Sequence, residues 1–239
     1  MTAKRFVLLH GGFHGGWCWR DVASVLRAAG HHVTTPTQTG SGERKHLLSS
    51  EISLAMLGDD LVNHLEAEEL DDVVLVGHSF GGCAISIAAD RVPERIRHVV
   101  YLDGLVLHGG QTAFGVMPPD IVAARRRQIA DEGGGLVWPV VPVTAFGIPA
   151  DHPRAAWVAR RLTPHPASTY DSPLPLRHAV GNGLPCTYIA CTAPAYPALE
   201  PVRDWVRAHS GWDWKELATG HDAMVTDPDG VAALLLAID

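Results

Sequence analysis

Four consecutive apolar residues, Val73-Val74-Leu75-Val76, run without a break into Gly77-His78-Ser79-Phe80-Gly81. A short apolar run with no polar alternation suits a strand buried on both faces, as in the interior of a parallel sheet. Gly82 to Ala89 then reads as a helix. The G-x-S-x-G pattern alone is weak, because Gly and Ser are common in turns and such a serine can do no more than cap a helix. Between a buried strand and a helix it describes a nucleophile elbow. Side chains at the flanking glycines would collide with strand and helix. The serine takes strained backbone angles, and its hydroxyl stands clear of the sheet at the positive end of the helix.

The rest of the chain keeps this rhythm. Apolar runs predict strands over Phe6–Leu9, His32–Pro36, His98–Leu102, Cys186–Cys191 and Trp212–Leu217. Helical spacing predicts helices over Trp19–Ala29, with Val22, Leu26 and Ala29 on one face, and over Leu54–Leu65, Gly81–Arg91, Val202–Ala208 and Gly230–Ile238. The expectation is an α/β fold with a mostly parallel central sheet and helices on both faces. Residues 1–105 and 184–239 form its core. Residues 106–183 interrupt the alternation, are rich in Pro and Gly, and hold helical pieces near Pro119–Glu132 and Pro153–Leu162. They read as an inserted, largely helical cap over the edge of the sheet where ligands bind in such folds. Within the cap, Trp138 and Phe146 are candidates to line an apolar pocket.

With 26 acidic against 19 basic residues and a net charge of −7, the chain carries no nucleic-acid footprint; Arg125-Arg126-Arg127 reads as a solvated helix face. The balance favours a neutral or apolar small molecule over a polyanion. Cys18, Cys83, Cys186 and Cys191 lack C-x-x-C spacing and read as reduced, buried side chains. The 14 histidines show no metal-binding spacing, so neither a metal nor a cofactor is expected. Apolar runs are too short for a signal peptide or a membrane span. The expected location is therefore cytoplasmic, without a membrane partner and with a homodimer left open.

A serine hydroxyl needs an adjacent base to act as a nucleophile. His221, in Thr219-Gly220-His221-Asp222 after the last predicted strand, is in the right place and the right chain order. The oxyanion formed on attack needs fixed donors. The backbone N–H of Phe80 follows the nucleophile; a second, assigned to Phe13, lies in the loop His10-Gly11-Gly12-Phe13-His14-Gly15-Gly16-Trp17. Gly12 and His14 of that loop are expected to touch substrate. No Lys-Ser/Thr follows these glycines and Gly11-Gly12 are adjacent, so neither phosphate-cradle pattern fits.

Residues 10–19, Gly40-Ser41-Gly42, Gly77 to Gly82 and Gly220-His221-Asp222-Ala223-Met224 together make the chain resemble an α/β-hydrolase. It is most similar to the group holding plant methyl esterases, hydroxynitrile lyases and bacterial carboxylesterases such as pyrethroid hydrolases. The resemblance implies hydrolysis of a small carboxylic ester through an acyl-enzyme on Ser79. In this group the acid usually follows the penultimate strand as Cys-Thr-x-Asp, but here the stretch is Cys191-Thr192-Ala193-Pro194. Asp103, ending the strand after the elbow helix, resembles the acid of some lipases and haloalkane dehalogenases and is the expected third member, with Glu200 next. The nitrile lyases depend on a lysine after the catalytic histidine and a threonine after the first-strand histidine. Asp222 and Gly11 stand there, which argues against cyanohydrin cleavage. Lactones and thioesters need the same machinery and stay open. So does a non-hydrolytic role as a small-molecule receptor, a lyase or a cofactor-free biosynthetic enzyme.

Overall fold

The computed structural model describes residues 3–238, so residues 1, 2 and 239 of the expected core lie outside it. In chain order it contains β1 (Arg5–Leu9), α1 (Arg20–Ala28), β2 (His32–Thr34), α2 (Leu54–Ala67), β3 (Val73–His78), α3 (Gly81–Arg91) and β4 (Ile96–Leu102). Then come α4 (Pro119–Asp131), β5 (Val137–Trp138), α5 (Ala155–Ala159), β6 (His165–Pro166) and α6 (Ser168–Asp171). The chain closes with β7 (Cys186–Cys191), α7 (Glu200–Ala208), β8 (Asp213–Leu217), α8 (Ala223–Thr226) and α9 (Pro228–Leu236).

Six strands form one sheet in the order β2-β1-β3-β4-β7-β8, and every neighbouring pair is parallel. β3 and β7 are buried at every residue, as uninterrupted apolar runs require. β8, at the edge, is half-exposed and carries charges, which blunts its free side. The connection from β1 steps one way to β2, and the return to β3 steps the other way. Right-handed crossovers therefore put α1 and α2 on opposite faces. α2 packs on α3 and α1 packs on α9, giving a helical layer on each side. The sheet order reverses between β1 and β3, and their following loops diverge to open a crevice at the strand ends.

The elements fall close to where the sequence puts them, with local corrections. Ala29 does not share the buried face of Val22 and Leu26; it lies beyond the last turn of α1 and is exposed, and Ala23 takes its place. Residues 106–183 add no strand to the large sheet, but they are less purely helical than expected. β5 and β6 pair antiparallel in a sheet of their own, between short helices. Arg125 of α4 is buried, not solvated, and only Arg126 and Arg127 of the triplet face outward. Among the described residues no helix is long and apolar enough to cross a membrane.

Candidate active site

Ser79 sits at φ 51° between β3 and α3. A Cβ on Gly77 would come 2.9 Å from the Gly81 carbonyl oxygen, and one on Gly81 would come 2.6 Å from that of His10. Both glycines are thus required by close backbone approach rather than by flexibility. The elbow is tied to the neighbouring strand end: Ser79 N–H donates to Leu102 O, and Leu105 N–H donates to Ser79 O at 2.8 Å. Asp103 lies in that same turn.

Three side chains form a continuous relay. Ser79 Oγ lies 2.8 Å from His221 Nε2, and His221 Nδ1 lies 2.6 Å from Asp103 Oδ2. The carboxylate is fully buried. Arg203 of α7 grips it through Nη2 at 2.8 and 3.0 Å and Nε at 3.2 Å, and Cys191 N–H donates to it as well. Burial pushes the Asp103 carboxyl up. The His221 hydrogen bond and the charges of His221 and Arg203 outweigh burial and hold it below the usual carboxylate range. With the carboxylate ionised, Nδ1 keeps its proton and Nε2 is left to accept from the serine. Glu200 is exposed instead and pairs with Arg203 and Arg207.

The loop after β1 comes to the opposite side of Ser79, where a Cβ on Gly11 would meet the Ser79 Cβ at 2.7 Å. Phe13 there has φ 68°. Neither Phe13 N–H nor Phe80 N–H has a hydrogen-bond partner among the described residues. Phe13, Ser79 and Asp103 are three of the six non-glycine residues with left-handed backbone among the described residues. Each such residue costs on the order of 1–3 kcal/mol and persists where the surroundings fix it.

Ser79 and Phe13 face a cavity that is partly open to solvent. Gly12, Phe13, Phe80, Trp138, Phe146 and His221 all line it, so the expected pocket residues of the loop and of β5 meet at the serine. His14 does not. It is buried behind the loop, with Nδ1 donating to Gly12 O at 2.7 Å and Nε2 facing Asp222 Oδ2 at 2.9 Å. Burial lowers its pKa, but the Asp222 charge and hydrogen bond more than offset this and raise it. Two acceptors on two ring nitrogens leave His14 an imidazolium that braces the loop. Both of its ring nitrogens are spent inside the protein, and it is not among the residues that line the cavity.

Three polar lining residues escaped the sequence reading. Tyr196, in the loop that lacks the usual acid, stacks flat on the His221 ring at 4.3 Å and 16°. Tyr170 of α6 packs edgewise and tilted against His165 and Phe80. Arg125 lies over the Trp138 ring at 4.4 Å. The arginine triplet was a visible signal, but its burial was not.

Comparison with known proteins agrees with this fold. Residues 6–234 match the alpha/beta hydrolase family. The carbendazim hydrolyzing esterase of Nocardioides sp. (strain SG-4G) is 39% identical over 98% of this chain and 98% of its own. Methylesterase 7 of Arabidopsis thaliana is 40% identical over 41% of this chain and 39% of its own. Among solved structures, an extracellular alpha/beta-hydrolase from a Paenibacillus species covers 98% of both chains with a TM-score of 0.83 and 23% identity, a likeness of fold. A strand–elbow–helix turned toward a buried His–carboxylate pair, matched to one family over nearly the whole chain, places this chain in the alpha/beta hydrolase family.

Proposed function

We propose that Ser79, His221 and Asp103 carry the ester hydrolysis of this protein through a covalent acyl-enzyme. That the chemistry is hydrolysis of a carboxylic ester follows from family membership and from the esterase that resembles the chain over its whole length. The observation that supports the residue assignment is the unbroken relay from Ser79 Oγ to the Asp103 carboxylate.

In this reading Ser79 Oγ attacks the ester carbonyl while His221 Nε2 takes its proton. Phe13 and Phe80 N–H hold the resulting oxyanion. His221 then gives the proton to the departing alcohol. Water enters, loses a proton to the same nitrogen and adds to the acyl carbon; as the bond to Ser79 Oγ breaks, His221 returns that proton to Oγ and the acid is released. Asp103 stabilises the transient imidazolium and stays ionised throughout, because Arg203 neutralises it from behind. The substrate is a small ester with a largely apolar body, held by Phe13, Trp138 and Phe146. We take residues 106–183 as the cap that supplies much of this wall. The four free, buried cysteines suit a reducing compartment and support a cytoplasmic location.

The test uses a short p-nitrophenyl ester. The Ser79→Ala variant should lose about 10⁴-fold or more of the wild-type kcat, and a fluorophosphonate should label wild-type protein at Ser79. Hydrolysis that survives the substitution within tenfold, about 1.4 kcal/mol of barrier, would remove Ser79 as the nucleophile.

A further inference from the structure

Two arginines are buried among the described residues, and they are treated differently. Arg203 spends its guanidinium on Asp103. Arg125, 6% exposed, has no carboxylate partner among the described residues. Its Nη1 points to Met117 Sδ at 2.7 Å, its Nη2 donates to Tyr196 Oη at 3.0 Å, and its plane rests on the Trp138 ring. None of these neighbours is charged: burial raises the Tyr196 pKa, so its phenol stays protonated. A buried cation held only by neutral groups is costly unless something anionic completes the site. Among the described residues Arg125 is also the only Lys or Arg lining the cavity that holds Ser79. Its phenol partner is the ring stacked on His221, so a group bound at Arg125 is set at a fixed remove from the proton-transferring nitrogen.

Resting on the reading of Ser79 as nucleophile, we propose that Arg125 determines specificity by receiving a carboxylate carried by the substrate, so that half-esters of dicarboxylic acids are preferred over neutral esters. The planar fork of a guanidinium matches a carboxylate, and the aromatic walls hold the apolar length between the anion and the scissile bond. Among the described residues the cavity wall offers a substrate one guanidinium, that of Arg125. A purely structural Arg125 would instead serve only to fasten α4 to Trp138 of β5.

The two roles separate in a ratio of rates. The p-nitrophenyl half-ester of glutaric acid and p-nitrophenyl valerate share a five-carbon acyl chain and differ in a terminal carboxylate against a methyl. Wild-type kcat/KM should favour the half-ester by about tenfold or more, the value of one charge-assisted hydrogen bond. Arg125→Gln should bring the ratio to within about threefold of one, and Arg125→Lys should keep part of the preference. General damage to the enzyme cancels in the ratio. A wild-type ratio at or below one, or a ratio unchanged in Arg125→Gln, overturns the proposal. If Arg125→Gln does not fold, Arg125→Lys and the wild-type ratio still decide. Glutarate titration followed by tryptophan fluorescence tests the anion site without turnover. A saturable change is expected in wild type and not in Arg125→Gln, and its absence from wild type overturns the proposal. Loss of fluorophosphonate labelling at Ser79 with glutarate binding intact would instead fault the nucleophile reading.

Discussion

Asp103 does two jobs at once. It faces His221 on one side and Arg203 on the other, with left-handed backbone at φ 43°. Asp103→Asn should therefore lower kcat by about 10⁴-fold, as loss of a triad carboxylate does through the wrong imidazole tautomer. It should also leave Arg203 buried beside a neutral amide, a loss on the order of 3–5 kcal/mol. Steady-state kinetics and urea unfolding read the two losses separately, and a kcat loss below tenfold would exclude Asp103 as the acid. Asp103 was legible because it ends a strand next to the elbow. Arg203 was not, since nothing in Glu200-Pro201-Val202-Arg203 marks which polar residue turns inward. Arg125 shows the same limit. Successive residues on a helix point about 100° apart, so three arginines in a row cannot share one solvated face, and which one is buried depends on what α4 packs against.

At the scale of elements, the elbow works because α3 starts hard against the turn that carries Asp103. A Cβ on Gly82 would come 2.2 Å from Leu105 O. Gly82→Ala should thus displace either the helix start or the 103–105 turn, at about 1–3 kcal/mol of overpacking. Thermal melting together with kcat reads it: a lower Tm with a kcat loss is the expected pair, and a variant as stable and as active as wild type would show the contact to be soft. The helix over Gly81–Arg91 and the strand over Cys186–Cys191 fall where apolar runs and punctuation put them. The β5–β6 pair was missed because it has two residues a strand and is held by packing around Tyr170 and Trp138 rather than by local pattern. His14 was legible as part of a loop that approaches the ligand, but its partner Asp222 lies far away in the chain, so its direction was not.

Across the whole molecule, buried histidines set the response to acid. Burial lowers His10 to about 4, and His78 and His165 to about 3, from 6.5. Each is held neutral in the fold and protonates readily once unfolded. Their contribution to stability is therefore full above pH 6.5 and falls as pH drops from there toward 4 and 3, by about 1.4 kcal/mol per histidine per pH unit. His14 has the opposite sign: its raised pKa contributes stability in full below 6.5, lost as pH rises through its folded value. Urea unfolding between pH 7.5 and 4.5 should show the decline, and His165→Gln should flatten it by about 1.4 kcal/mol per pH unit. Stability independent of pH across that range would mean these rings are not held neutral.

The loop after β7 holds no carboxylate before Glu200, and offers the flat face of Tyr196 to His221. The proposed acid lies just beyond β4, so this loop need not supply it, although Cys191 N–H and Arg203 on either side of the loop hold it in place. The side chains between those two, Tyr196 above all, can reshape the wall around His221 while the grip on Asp103 stays in place.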